Sequence, residues 1–352
     1  MDRRILFIIL ILFSSCSSTY KFLIDVQVPA RITLPVSAQN VLILNNSVTQ
    51  PIEHGIERNF DGNPIRSDFP LSLDSTVWFA MDEIAVVLNE SNFFNTITTY
   101  KVPIRDDDEW LSLFYLSPEQ QDDYYNRDNF DALLVIERLF LFLKEDIKSI
   151  KINAFPLPNE KPTICNVRAD GVITCSMYTY GQDKPLITFN ASDSLSFQYT
   201  DVTDSIFLFK EIPEIILNTL SIDLGNKVAK FFTPTWKTQE RNLFVNRNSR
   251  MQEALGYASS KKWTNAESIW KTELEKKTKS VDKAKIAYNM AVANEMQDNF
   301  DLALEWAQKA KEFMNHEIPD DSKEIKLVDD YILMLNNRIE NNLLLDLQWG
   351  KE

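Results

Sequence analysis

Apolar residues along this chain fall into three regimes: an unbroken run near the start, a middle section of short blocks and alternation, and a C-terminal stretch with helical spacing. In the middle section Val41-Leu42-Ile43-Leu44 is fully apolar, the pattern of a strand buried on both faces. Asn45-Asn46-Ser47 closes it with turn residues. Val77, Met81, Ile84, Ala85 and Leu88 recur at helical spacing and predict a helix over 75–89, capped by Asp74 or Ser75. β-Branched residues predict a strand over 96–102, and Ser117-Pro118 opens a polar helix to about residue 127, with proline at its favoured first position. Residues 131–142 return as a long apolar strand. Strand alternating with helix in this order predicts an α/β layer with a partly parallel sheet.

From residue 163 to 209 the pattern becomes that of antiparallel strands. Residues 165–167 and 172–175 flank Ala169-Asp170-Gly171, which predicts a hairpin with Cys165 opposite Cys175. Residues 172–180, 185–190 and 194–199 then read as a meander. Ile215, Leu217, Leu220, Leu224 and Val228 predict a closing helix over 213–232, ended by Pro234. Beyond it the chain reads as helical, and Ile325, Val328, Ile332 and Leu335 predict a last helix over 321–338.

The start of the chain is a processing signal. Asp2-Arg3-Arg4 is a basic opening, residues 5–13 are an apolar run too short to span a bilayer, and Ser14-Ser15 lead into Cys16. Phe13-Ser14-Ser15-Cys16 resembles the lipobox of bacterial lipoproteins, in which the cysteine is acylated and becomes the mature N-terminus. The competing reading is an ordinary secretory signal with an incidental cysteine. Ser17-Ser18-Thr19-Tyr20 looks like the following tether, and no Asp follows Cys16. That resemblance implies the outer membrane, and the missing acidic surface-display cluster implies a periplasm-facing protein. After Val28 there is no second apolar segment of membrane-spanning length.

Composition narrows the chemistry. The formal charge is −14, from 51 acidic against 37 basic residues, which disfavours nucleic acid as a partner. With 7 glycines among 352 residues, phosphate-cradling loops are not expected. In an oxidising compartment Cys165 and Cys175 are expected to form a disulfide. His54 and His316 are far from both cysteines in sequence and in no metal or triad spacing, so neither metal nor cofactor is expected. Asp106-Asp107-Asp108-Glu109 is the densest carboxylate run and reads as a solvated loop, with a divalent cation as the alternative. Trp78, Trp110, Trp236, Trp263, Trp270, Trp306 and Trp349 could suggest sugar stacking, but Trp78, Trp263, Trp270 and Trp306 read more simply as core positions. No nucleophile motif occurs, and the chain is read as not an enzyme.

Small residues and aromatic wedges repeat in the C-terminal part. Ala254, Tyr257, Trp263, Ala266 and Trp270 mark one helical pair; Ala291, Phe300, Ala303, Ala307 and Ala310 mark the next. The run from Asp298 to Glu305 resembles the tetratricopeptide pattern, with Glu273 and Asn294 as departures from it. Residues 28–35 (Val-Pro-Ala-Arg-Ile-Thr-Leu-Pro), the strand at Val41, Pro234, Trp236 and Arg241 resemble a Bacteroidetes lipoprotein family carrying a domain of unknown function. The resemblance implies no activity. The expected fold is α+β: an α/β sandwich-like domain with a mixed sheet over 28–245, then an all-α tetratricopeptide-like array. The signal peptide (1–15) and lipidated tether (16–27) precede it, two repeats occupy 246–315, and a capping helix and tail occupy 316–352. Met251, Leu255, Tyr288 and Val292 are expected to line an apolar groove that contacts an envelope protein or the chain's own α/β domain. The expected function is a non-catalytic interaction module. A ligand- or glycan-binding lipoprotein is the alternative, and an envelope hydrolase the third.

Overall fold

The computed structural model describes residues 19–65, 73–149, 163–201, 212–246, 248–315, 317, 319 and 321–350. Strands β1 (Thr19–Val28), β2 (Asn40–Asn45), β3 (Ile56–Phe60) and β4 (Asn63–Pro64) come first, then helix α1 (Thr76–Glu90) and strand β5 (Thr96–Tyr100). Helix α2 (Pro118–Asp128) precedes three long strands, β6 (Ala132–Ser149), β7 (Thr163–Thr179) and β8 (Ile187–Asp201). Helix α3 (Ile212–Ala229) and strand β9 (Thr235–Phe244) lead to five helices: α4 (Ser249–Ser259), α5 (Trp263–Lys276), α6 (Ser280–Glu295), α7 (Phe300–Asn315) and α8 (Lys323–Gln348). The fold is α+β, a mixed sheet with its helices followed by a run of helices.

The chain divides into two compact units, Pro29–Thr235 with Leu347–Glu352, and Met1–Val28 with Trp236–Asp346. β9 thus groups with the helices, whereas the expected α/β domain extended to residue 245. Residues 19–27, expected as tether, lie in β1, which pairs with β9.

In the sheet unit β2 lies parallel to β5 and to the first half of β6. β3 runs parallel to the second half of β6, and β7 and β8 follow antiparallel. Around β2 both faces are covered. Ile43, Leu134 and Ile136 join the core with Met81, Ile84 and Leu88 of α1 and Leu220 and Leu224 of α3. Leu42, Leu44, Leu133 and Val135 meet Tyr125, Phe130 and Tyr178 on the other face. This two-sided burial is why residues 41–44 carry no polar alternation.

Past this region the described residues cover the sheet on one face only, and the sequence alternates. Cys165, Val167, Ala169, Ile173 and Cys175 are buried in the core shared with α3. The intervening Asn166, Arg168, Asp170, Val172 and Thr174 belong to the opposite face by the two-residue period of a strand. β8 repeats the pattern: Thr188, Asn190, Ser192, Ser194, Ser196 and Gln198 take every second position.

The expected hairpin at Ala169-Asp170-Gly171 does not form. β7 runs straight through it, with Gly171 opposite Leu141 and Asp193. A Cβ on Gly171 would come within 2.8 Å of Leu224 Cδ1, so glycine here serves close approach of α3 rather than a turn. Cys165 and Cys175 sit on one strand, about 33 Å apart at the usual rise. No disulfide can join them, since bridged Cα atoms lie within about 7 Å. The expected 185–190 and 194–199 strands are likewise one strand, β8.

α2 has the local chemistry its sequence announced. Ser117 accepts from the Gln120 amide, Gln120 accepts from the Ser117 amide, Pro118 follows the cap, and Asn129 takes φ 54°. At α1 Ser75 makes no capping side-chain bond, and Thr76 Oγ1 donates to the Leu73 carbonyl at 2.6 Å.

In the helical unit α4 packs on α5, α5 on α6 and α6 on α7. Ala254, Ala266, Ala287, Ala291, Ala303 and Ala307 are fully buried, and these small residues let the helices approach closely. The two connections repeat: Lys261 (φ 59°) precedes α5 and Asp298 (φ 60°) precedes α7 by the same two residues. Residues 286–295 of α6 are buried on every side.

Candidate functional site

The one-sided part of the sheet carries a groove of about 680 Å³. Its floor comes from two cross-strand rows, Phe140–Val172–Ser192 and Phe142–Asp170–Ser194, fixed by the registers of β6, β7 and β8. Its wall is aromatic. Trp110 meets Phe140 edge-on at 5.3 Å between ring centroids and stacks with His54 at 5.4 Å. The Arg138 guanidinium lies 4.5 Å from the Phe140 centroid and donates to the Leu111 carbonyl at 2.8 Å. Asp193 and Lys227 form a 2.8 Å ion pair at the rim, and Lys227 also donates to the Ser192 carbonyl.

Two devices present this wall. Gln50 bonds Leu141 through both ends of its amide, donating at 2.6 Å and accepting at 2.9 Å, in the manner of a neighbouring strand. A Cβ on Gly55 would fall 2.5 Å from Gln50 Nε2, so a larger residue there would displace the Gln50 amide from Leu141. The second device is the acidic run. Arg105 donates twice to Asp107, at 2.8 and 2.6 Å, and to the carbonyls of Glu109 and Ser112. Asp107 accepts from the Glu109 amide as well, and the hydrogen bond from Arg105 holds its pKa below the ordinary carboxylate value. Asp107 therefore acts as the internal staple of the loop that delivers Trp110. Among the described residues no acidic or histidine cluster has the arrangement of a metal site.

Behind the loop lies a buried polar network. Register slips between Ile136 and Arg138, leaving Glu137 as an extra residue in β6. Its carboxylate is 1% exposed and accepts from Asn46 Nδ2 at 2.7 Å; Tyr178 OH stands 3.5 Å away. Asn46 also donates to the Phe114 carbonyl, and Tyr178 OH accepts from the Leu116 amide, which ties the bulge to the groove loop. Burial raises the pKa of Glu137 despite the bonds from Asn46, Ser176 and Tyr178. Burial, with the neighbouring Glu137, likewise raises Tyr178 and Cys175. The Cys175 thiol is accordingly a protonated core group.

The residues singled out in the sequence are placed elsewhere. Cys16 and His316 lie outside the described residues. Met251, Tyr288 and Val292 are buried and Leu255 is half-buried, so they form no open groove. Tyr288 packs against Phe244 of β9 and Tyr331 of α8, at 5.0 and 4.9 Å between centroids. The face expected to await a partner is filled by the unit's own strand and last helix. Trp78, expected in the core, is 42% exposed, whereas Trp270 is fully buried. Reading the sequence raised Trp110 as one of seven possible stacking residues but did not bring it together with Phe140 and Phe142. The available signal was the polar alternation of 188–198 beside two phenylalanines spaced by two.

A one-sided mixed sheet bearing an aromatic-walled groove, joined in sequence to a helical array, defines the class of this protein. The chain belongs to the family described as domain of unknown function DUF8603, whose model matches residues 38–244. A further model, domain of unknown function DUF6340, matches residues 252–337. Among solved structures, a minor lipoprotein from Acinetobacter baumannii aligns at 8% identity over 55% of this chain and 89% of its own, with TM-score 0.22. A lipoprotein from Neisseria meningitidis aligns at 10% identity over 52% of this chain and 98% of its own, with TM-score 0.16. No curated protein matches the chain.

Proposed function

We propose that this protein is an outer-membrane lipoprotein, anchored through Cys16 and facing the periplasm, whose sheet unit binds a glycan in the groove beside Trp110. The observation that carries the reading is the juxtaposition of the Trp110–His54–Phe140 wall with the hydroxyl rows of β8. Aromatic faces stack on the C–H faces of sugar rings, while hydroxyls and carboxylates take their O–H groups. The volume, about 680 Å³, is that of a small-ligand site and suits a short glycan segment. The N-terminal basic, apolar, small-residue and cysteine order supports the anchor.

Binding without catalysis is the favoured reading of the carboxylates. Asp170 is paired with Arg168 at 2.8 Å. For Asp193, burial opposes the charged form, yet the bonds from Lys227 and the Ser194 amide outweigh it and leave its pKa below the ordinary value. Such a group is a poor proton donor at neutral pH. The helical unit serves here as a tetratricopeptide-like scaffold with a filled groove.

The test is titration of the purified protein with glycan strands released from peptidoglycan, followed by calorimetry. Trp110→Ala is expected to weaken binding at least about tenfold, the scale of losing one stacked aromatic. Equal affinity of wild type and variant, or no binding of any strand, would overturn the reading. A second reading rests on β8, which among the described residues pairs only with β7. Its edge would then take an extended segment of an envelope protein by strand addition, and binding would survive Trp110→Ala.

A further inference from the structure

The two-stranded ribbon of β1 and β9 has one face accounted for and one not. Phe22 packs on Trp263 at 5.5 Å between centroids, and Val26 is buried. Leu243 and Phe244 are buried among the helices. The other face is set by two side-chain contacts, Lys21 with Glu240 at 2.8 Å and Thr238 with Asp25 at 2.7 Å. By strand alternation Leu23 and Trp236 project with these residues. Leu23 is the most exposed large hydrophobic residue among those described, at 69%, and Trp236 and Tyr180 follow at 68%. Tyr20, at the start of the ribbon, lies by the same alternation on the face of Phe22, with which it stacks at 6.2 Å between centroids.

We infer that this outward face of the ribbon, centred on Leu23 and Trp236, rests on the surface of the bilayer in which the Cys16 lipid is embedded. The inference rests on the lipoprotein reading above. Its main support is reach. Three chain steps separate Cys16 from Thr19, the first residue of β1. Fully extended they span at most about 11 Å, little more than one layer of headgroups, so β1 starts at the membrane surface. The side chains suit that position. Tryptophan favours the membrane–water interface, and leucine at its edge gains by leaving water. The chain carries −14 overall, whereas this face sets Lys21 against Glu240 and Asp25, a single net negative charge that an anionic bilayer repels weakly.

The test uses the full, lipidated chain in vesicles of phosphatidylethanolamine and phosphatidylglycerol. Leu23→Cys and Trp236→Cys, both at exposed positions, are each labelled with an environment-sensitive fluorophore; Val102→Cys on the sheet unit, exposed at 58%, is the reference site. The buried Cys165 and Cys175 stay unlabelled in the native protein. The inference predicts that lipid-borne quenchers act on the Leu23 and Trp236 probes and that iodide quenches them several-fold less than the reference. Iodide quenching equal to the reference, with fatty-acid label present on Cys16, overturns the docking while leaving the lipoprotein reading intact. Shielding from both quenchers overturns it in favour of a protein contact. Absence of fatty-acid label on the wild type removes the anchor and the docking together.

Discussion

Glu137 owes its place to a single inserted residue. Without the bulge its carboxylate would point along the regular pleat; with it, the group is walled in by Asn46, Tyr178 and Ser176. Its pKa in the folded chain is raised above the ordinary 4.5, chiefly by burial. Below the ordinary value both folded and unfolded chains hold the proton and nothing is lost. As pH rises through the ordinary value toward the raised one, the unfolded chain releases its proton first and stability falls. Glu137→Gln removes this loss while keeping an acceptor for Asn46. The variant's melting temperature is expected to exceed wild type at neutral pH, with the gap closing near about pH 4. A gap that is constant with pH would show that Glu137 is not buried as described. Asp107 shows the opposite limit of legibility. In the sequence it is one of four consecutive acids; only Arg105 folding back on it makes it the loop's staple.

At the level of elements, α1 and α3 cover the sheet by touching each other. A Cβ at Gly225 would meet the Ala80 carbonyl oxygen of α1 at 2.5 Å and its carbonyl carbon at 3.1 Å. Backbone cannot give way as a side chain can, so Gly225→Ala must push α3 off α1 or off β7. Alanine's better helix propensity contributes about 1 kcal/mol. Overpacking costs about 1–3 kcal/mol and more against backbone. The net expectation is a lower urea midpoint with the m-value unchanged; a higher midpoint would mean the helices are not in contact here. Helices were legible because 3.6-residue spacing is local. The boundaries of β7 and β8 were not. Ala169-Asp170-Gly171 has the composition of a turn, and it is the fit of Gly171 beneath Leu220 and Leu224 that keeps the strand straight.

At the scale of the whole molecule, segments far apart in sequence are joined by one buried cluster in the helical unit. Arg241 of β9 donates to both oxygens of Glu295 on α6, at 2.8 and 2.7 Å, and Arg338 and Tyr331 of α8 donate to the same carboxylate. Removing the charge would leave Arg241, at 3% exposure, without its counter-ion. Glu295→Gln is therefore expected to cost about 3–5 kcal/mol, read as a fall in thermal midpoint, while Glu253→Gln on the surface should change little. The amino-acid sequence by itself determined β2, α1, β5, α2, β6 and α3 in their order, and the paired helices with alanines at their crossings. Each of these is written in spacing over a few residues. Tertiary structure alone decided which faces are covered. It filled the face of Tyr288 with Phe244 and Tyr331, paired β1 with β9 across two hundred residues, and set Trp110 beside the groove that β6, β7 and β8 form among the described residues. Burial is a property of a residue's neighbours, and neighbours brought together from distant parts of the chain leave no local period to read.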